Sequence, residues 1–270
     1  MPLSETIPAV SWLLCSHVAD EQLRLALNSC LDQTFTDFEL LVVANGDSAV
    51  AVAESVKHWV GDDSRVRVFV TEVRQLPFSL SLGLHHARAE LVARMDSDDL
   101  SKRNRLQLQV SFMRAHPEVA VLGSCYEIID ATAHVLRPVQ LPLDDDSIRR
   151  AMRWSNPICH PSVMFRRNAV LNAGGYVGGL QAEDYDLWIR LAADRNLKFA
   201  NLREIGISYR ATGVGLARGA RAAYASVAGA QLRAFLMGGG VGWLFGALAT
   251  TLKLALKVGR LPLDNKKWKE

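Results

Sequence analysis

The sequence predicts an α/β protein built on a mostly parallel sheet with helices on both faces, followed by a C-terminal helical segment. Three observations carry that prediction. Short apolar runs alternate with segments of helical period from the start of the chain. The crossovers between those runs are of helix length, as parallel pairing requires. After Gly213 the texture changes to Ala- and Gly-rich helix.

The first strand is Ala9 to Leu14 and the second Phe38 to Val43. Between them, Glu21 to Leu31 places Leu23, Ala26, Leu27 and Cys30 on one helical face, completing a βαβ unit. Helix Ala49 to Val60 leads to a third strand, Val66 to Val70, and helix Leu76 to Ala87 leads to a fourth, Leu91 to Met95. Asp96-Ser97-Asp98-Asp99 follows directly. Ligands of open α/β sheets bind at the carboxyl ends of the strands, so these acids stand at the predicted binding edge. A helix from about Arg103 to Ala115, stopped by Pro117, precedes two strands, Val119 to Leu122 and Cys125 to Ile129. Asp144 to Trp154 then reads as helix and Pro161 to Phe165 as strand. Asp184 to Ala193 is amphipathic, with Tyr185, Leu187, Trp188 and Leu191 on its apolar face, and Phe199 to Leu202 and Ile205 to Tyr209 read as two short strands.

Composition narrows the class. Of 270 residues, 49% are hydrophobic and 22% charged, which excludes collagen-like, disordered and disulfide-scaffold chains. Cys15, Cys30, Cys125 and Cys159 lie far apart with no metal-ligand spacing and read as reduced core thiols. Met1 to Pro8 lacks a basic segment followed by a long apolar run, so the expected location is cytoplasmic. The formal net charge of +3 is concentrated at the end of the chain. From Lys253 onward there are Lys253, Lys257, Arg260, Lys266, Lys267 and Lys269 against Asp264 and Glu270. A near-neutral body argues against a nucleic-acid groove, and a basic tail beside apolar residues points to anionic lipid. Ala234 to Leu252 is nineteen residues without a charge, close to a membrane span in length, yet its three consecutive glycines weaken a spanning helix. An interfacial helix with snorkelling lysines and a terminal helix packed on the protein itself are the competing readings.

Two acidic motifs carry the chemistry. Carboxylates at i, i+2 after a strand can turn toward one Mg²⁺ or Mn²⁺ whose shell is completed by water and substrate phosphates. Acidic turns also cap helices, and Asp99 or Ser101 could instead begin the following helix. Glu183-Asp184, after the Gly-rich stretch Gly174 to Gly179, could supply a general base for an acceptor hydroxyl or simply the acidic first turn of a helix. Arg94, inside the fourth strand, is costly to bury unpaired, so a link to a carboxylate or diphosphate is expected. His85-His86 reads as surface, Trp188 as core and Asp144 to Asp146 as a solvated helix start.

The order V-S-W-L-L (10 to 14), L-D-Q-T-F-T-D-F-E-L-L-V-V-A-N-G-D (31 to 47), L-V-A-R-M-D-S-D-D (91 to 99), Q-V-S-F-M-R-A-H-P-E-V-A-V-L-G-S (109 to 124), N-P-I-C-H-P-S-V-M-F-R (156 to 166), A-G-G-Y (173 to 176) and A-E-D-Y-D-L-W-I-R-L-A (182 to 192) resembles glycosyltransferase family 2. The likeness covers about Pro8 to Arg210. It implies a GT-A fold, a nucleotide-sugar donor, a divalent metal (Mn²⁺ or Mg²⁺) and inversion at the anomeric carbon. By the same resemblance Cys15 and Asn45 match the uridine pocket, and Asp96, Asp98 and Asp99 match the metal and diphosphate motif. Asp184, or Glu183 beside it, matches the base, and the block around His160 approaches the acceptor or phosphate. The implied division is a nucleotide-sugar half over about 1–99, an acceptor half over about 100–215, and a tail over 216–270. The sequence departs from the family where P-x-Y-N is replaced by Cys15-Ser16-His17-Val18 and an acidic pair by Ala44-Asn45. Asparagine offers a base edge both donor and acceptor, so nucleotide choice is what these changes alter. A histidine common after the late Y-R is replaced by Ala211-Thr212-Gly213.

The sequence thus points to an inverting, metal-dependent transferase with a UDP-sugar donor and a polysaccharide-precursor or lipid-linked glycan acceptor, held on the cytoplasmic face of a membrane by its tail. Two rivals are a non-catalytic nucleotide-binding scaffold and a nucleotidyltransferase using the same acidic edge. The second would carry a Gly-rich basic phosphate loop, which Ser16 to Asp20 does not supply.

Overall fold

A computed structural model describes residues 7–177, 181–211 and 220–258. Its strands are β1 (Val10–Ser16), β2 (Phe38–Asn45), β3 (Val66–Thr71), β4 (Leu91–Asp96), β5 (Leu100–Ser101), β6 (Val119–Ile129), β7 (Val135–Val139), β8 (Met164–Arg166) and β9 (Lys198–Arg210). Its helices are α1 (Glu21–Leu31), α2 (Ala49–Val60), α3 (Leu76–His86), α4 (Arg105–Ala115), α5 (Asp145–Met152), α6 (Arg167–Asn172), α7 (Glu183–Ala192), α8 (Ala220–Ala234) and α9 (Val241–Val258).

Among the described residues the strands form one nine-stranded sheet in the order β3-β2-β1-β4-β8-β6-β9-β5, with β7 paired to β6. The β3-β2-β1-β4 half is parallel, β6 and β9 are parallel, and the short β8 joins the two halves by antiparallel pairing. Alternation along the strands divides the core. Trp12 and Leu14 of β1 pack with Leu23, Leu27, Val52, Val56 and Val110 of α1, α2 and α4, while Leu13 and Cys15 face Leu80, Leu84, Trp188 and Ile189 of α3 and α7. Both faces of the central strands are therefore covered, which is why these strands read as continuous apolar runs. Asp20 caps α1 by accepting from the Leu23 amide, as an N-cap aspartate does.

The structure corrects several expected elements. The two strands expected within 119–129 are one, as are those within 199–209, because register shifts between β6 and β9 absorb the interruptions. The segment expected as a strand over Pro161 to Phe165 opens with a 3-10 turn, His160–Ser162, before β8. Asp145 is not solvated: it accepts from Arg149 and from the Phe199 amide. Neither Asp99 nor Ser101 caps α4, whose N-cap is Asn104. Cys15, Cys30 and Cys125 are buried free thiols, but Cys159 is only partly buried.

The uncharged run Ala234 to Leu252 is not one helix. Gly238 and Gly240 adopt φ of 87° and 93°, turning the chain so that α8 and α9 form a hairpin. Ala230, Gln231, Trp243, Ala247 and Thr250 face inward and are buried. No helix among the described residues is long and apolar enough to cross a membrane. Gly178, Gly179, Thr212, Gly213 and the basic residues Arg260, Lys266, Lys267 and Lys269 lie outside the described residues.

Candidate active site

The carboxyl ends of β1, β2 and β4 lie side by side. Cys15 pairs in register with Asp96, and Ser16 with Ala44, so the end of β1 separates the acidic turn from Asn45 at the end of β2. Asn45 and Cys15 are buried at this edge, and Arg74 lies over Gly46, the residue after β2. Burial pushes the Cys15 thiol up to about 12, which keeps it neutral.

Asp96, Asp98 and Asp99 each offer one oxygen within 4.8 Å of the others. Their turn is tied down from β9: the Arg210 amide donates to Asp99 Oδ1 at 2.8 Å, and Arg210 Nε donates to the Asp98 carbonyl at 2.9 Å. The remaining Asp99 oxygen is buried with no hydrogen-bond partner. Burial and the neighbouring Asp96 push the Asp99 carboxyl up to about 8, and the same causes raise Asp98. A clustered set of oxygens with one orphaned buried acceptor is the donor chemistry of a hard divalent cation, so these residues fit the implied metal.

Arg94 fulfils the expectation of a buried paired cation. Its Nη2 donates to Asp96 Oδ1, and although burial opposes its charge the carboxylate keeps it protonated. Arg105, which the sequence did not single out, lies beneath: fully buried, it donates to the carbonyls of Arg94 and Val163 and stacks on Trp12.

Across from the turn, α7 begins at Ala182, a residue at φ 61°, and presents Glu183 and Asp184 in its first turn. Asn156 Nδ2 donates to Asp184 Oδ2 at 2.7 Å. Burial raises both carboxyls; the Asp184 charge raises Glu183 further, whereas the Tyr185 amide, Arg94 and Asn156 hold Asp184 partly down. His160 Nδ1 is 3.9 Å from Glu183 Oε1 and its Nε2 is 3.0 Å from the Tyr176 hydroxyl. Burial and then Arg94 push His160 well below its ordinary value, so the ring is neutral.

Arg94, Asp96, His160, Glu183 and Asp184 line one cleft of about 330 Å³. Cys15, Asn45, Asp98 and Asp99 lie outside its lining. Sequence reasoning missed Asn156, Cys159, Tyr126 and Tyr209, which also line it. The two tyrosines form an edge-to-face pair with centroids 5.8 Å apart, and Tyr209 is partly exposed. The N-P that opens the 156–166 block was the one available signal for Asn156.

The edge of the parallel sheet thus brings two acidic segments to one cleft, an arrangement suited to a group-transfer enzyme. Residues 11–175 match the family described as Glycosyl transferase family 2, and the chain belongs to that family. It is 32% identical over 228 residues to the O-antigen biosynthesis glycosyltransferase WbnJ of Escherichia coli, covering 84% of this chain and 89% of the relative. Among solved structures, the mannosyltransferase PcManGT from Pyrobaculum calidifontis in complex with GDP-Man and Mn²⁺ superposes with a TM-score of 0.67 at 16% identity, covering 96% of this chain and 77% of the other. Staphylococcus aureus TarS 1-349 in complex with UDP-GlcNAc superposes at 0.63 and 18% identity, covering 83% and 66%. These likenesses establish the GT-A fold, and the chain is a glycosyltransferase.

Proposed function

We propose that the chain transfers a sugar, with inversion, from a nucleotide-diphosphate sugar to a hydroxyl of a polysaccharide-precursor or lipid-linked glycan acceptor. The observation that carries this reading is that Asp96 and Asp184 line the same cleft while belonging to separate segments. The name of the Escherichia coli relative and the ligands of the two structural neighbours support it. UDP is the proposed nucleotide, with Cys15 and Asn45 at the base pocket.

Asp96, Asp98 and Asp99 would hold a divalent cation, Mn²⁺ or Mg²⁺, which when bound neutralises charge on the departing diphosphate. Arg94 fixes Asp96 from below and Arg210 fixes Asp98 and Asp99 from the side. Asp184, oriented by Asn156, takes the proton from the acceptor hydroxyl as that oxygen attacks the anomeric carbon opposite the diphosphate. Glu183, beside it, adds negative charge, and His160 stays neutral at the cleft wall.

The hairpin supports a place at a membrane surface, and the cytoplasmic side is the one proposed from the sequence. Leu236 and Met237 at its turn are 73% and 80% exposed, and Val241, Phe245, Leu248, Leu252 and Leu256 form an exposed row at spacings of three and four along α9, beside Lys253. Isolated apolar side chains are ordinary on a protein surface, but a continuous row is an interaction face.

Product analysis tests the reaction. With a panel of UDP- and GDP-sugars in Mn²⁺, transfer releases nucleoside diphosphate and depends on Asp98 and Asp184. Pyrophosphate exchange would indicate a nucleotidyltransferase, and binding without turnover a scaffold.

A further inference from the structure

We propose that Gln231, on the first helix of the C-terminal hairpin, is a positioning residue for Asp184, so that the hairpin completes the acceptor side of the active site. The inference rests on Asp184 being the base. Gln231 is fully buried and its amide makes three hydrogen bonds: Nε2 donates to the Arg153 carbonyl at 3.0 Å and to the Tyr185 hydroxyl at 3.0 Å, and Oε1 accepts from Thr250 Oγ1 at 2.8 Å. The Tyr185 hydroxyl in turn donates to the Met152 carbonyl. One amide therefore joins the end of α5, the first turn of α7 and both arms of the hairpin. The backbone of α9 closes on the same point, because a Cβ at Gly246 would overlap the Arg153 carbonyl oxygen.

From that grip the chain runs three residues to Asn156, which holds Asp184 and accepts from the Ile158 amide at 3.2 Å. Trp154, Ser155 and Asn156 are exposed, and the strap is turned by the Trp154 and Ser155 amides, which donate to the Ala151 carbonyl at 2.9 and 3.1 Å, before Pro157 and Ile158 enter the core. Gln231 holds the strap's near end at the Arg153 carbonyl, and Asn201, donating to the Pro157 carbonyl at 3.0 Å, holds its far end. Tyr185 follows Asp184 directly, so Gln231 acts on both the carboxylate's own helix and the donor that orients it. A base displaced by about 1 Å loses on the order of a hundredfold in rate, so a loosened strap acts on turnover and leaves donor binding intact.

The test uses the full chain with Gln231→Leu, Thr250→Val and Thr250→Ser, each checked for a cooperative melt. Hydrogen exchange reads the strap directly. In Gln231→Leu the amides of 154–158 and 184–186 exchange at least about tenfold faster while β1 and β4 stay protected. Turnover is read as nucleoside diphosphate released from UDP-glucose, UDP-GlcNAc and GDP-mannose in Mn²⁺. Gln231→Leu lowers kcat about tenfold or more with the donor KM unchanged, Thr250→Val shares the defect, and Thr250→Ser restores it. Adding Gln231→Leu to Asn156→Ala costs less than the product of the two single losses, since the strap is shared and only the Tyr185 route remains. Unchanged strap exchange in a folded Gln231→Leu, or rate losses that simply multiply in the double variant, would overturn the inference. Full turnover by Asp184→Asn would sink the base assignment instead, and it leaves the exchange result standing.

Discussion

Asn156 and Asp184, twenty-eight residues apart, meet through a 2.7 Å hydrogen bond that holds Oδ2 of the carboxylate and leaves Oδ1 free of that bond. The bond also opposes the burial that raises Asp184. The carboxylate must be ionised to accept a proton, so activity falls as pH drops through its raised pKa. Asn156→Ala removes one of the groups that hold that pKa down. The acid limb of the kcat/KM profile is expected to move to higher pH, with kcat at neutral pH reduced about tenfold. An acid limb that stays in place would remove Asn156 from the site.

The acidic turn predicts a linkage between cation, nucleotide and pH. A ligand at about 100 times its dissociation constant adds about 2.7 kcal/mol, so UDP with Mn²⁺ is expected to raise Tm by several degrees in the wild type and not in Asp98→Ala. The sign with pH follows from Asp99. Its folded pKa of about 8 lies above the unfolded value, so its contribution to stability is complete below the ordinary carboxylate range and disappears as pH rises through about 8. In EDTA, Tm is expected to decline over that interval. Saturating Mn²⁺ reverses the trend and releases protons, measurable by calorimetry in two buffers of different ionisation enthalpy.

Glu39 predicts the opposite slope. Buried on β2, it accepts from Ser11 and pairs with Arg67 and Arg88. Burial opposes its charge, but these donors hold it below its ordinary value. Its contribution is therefore present above the ordinary carboxylate range and lost as pH falls through the lowered pKa. Glu39→Ala removes the carboxylate that Ser11, Arg67 and Arg88 share, and denaturant melts at pH 7 are expected to show a loss of about 2 kcal/mol, shrinking toward acid.

Two glycines of the hairpin predict contrasting effects. Gly229 has open space around a Cβ, so Gly229→Ala is expected to stabilise α8 by up to about 1 kcal/mol. Gly246→Ala must push α9 off Arg153, and limited proteolysis is expected to cut α9 first in that variant. Equal protection of the two variants would contradict the packing described.

The outer row predicts surface binding separable from the nucleotide site. Leu248→Ser with Leu252→Ser is expected to reduce cosedimentation with anionic vesicles by about tenfold or more while leaving the Mn²⁺-dependent UDP shift unchanged.

The sequence made the first four strands and their crossovers legible because β1, β2 and β4 are buried on both faces, edge strand β3 is a β-branched run, and each helix is buried on one face, patterns that periodicity and composition detect. It put Asp96, Asp98 and Asp99 at the carboxyl end of β4, where the structure has them, because the end of a parallel strand is a position that sequence order fixes. Long β6 and β9 were less visible: Gly123-Ser124 and Arg203-Glu204 read as turns, whereas the ladder absorbs them as irregularities. β7 is exposed and carries Pro138, so neither burial nor propensity marked it. The hairpin was hidden because lack of charge says nothing about where a helix bends, and two glycine dihedrals decide that. Arg94 could be expected to find a carboxylate because a buried charge needs one. Asn156, Arg105 and Gln231 could not be singled out, since their roles come from neighbours twenty-eight, fifty-eight and seventy-eight residues away.

Gly242 and Gly246 have the four-residue spacing by which helices often pair with one another, but here Arg153 of the same chain fills that notch. The smooth side of the helix is already occupied before any second molecule arrives. What remains outside is bulky and apolar, with Phe245 among the aliphatic side chains, and suited to fluid acyl chains more than to a matching helix. On the membrane reading proposed above, the outer row would meet lipid without drawing on the glycine notch, which the chain has already filled for itself.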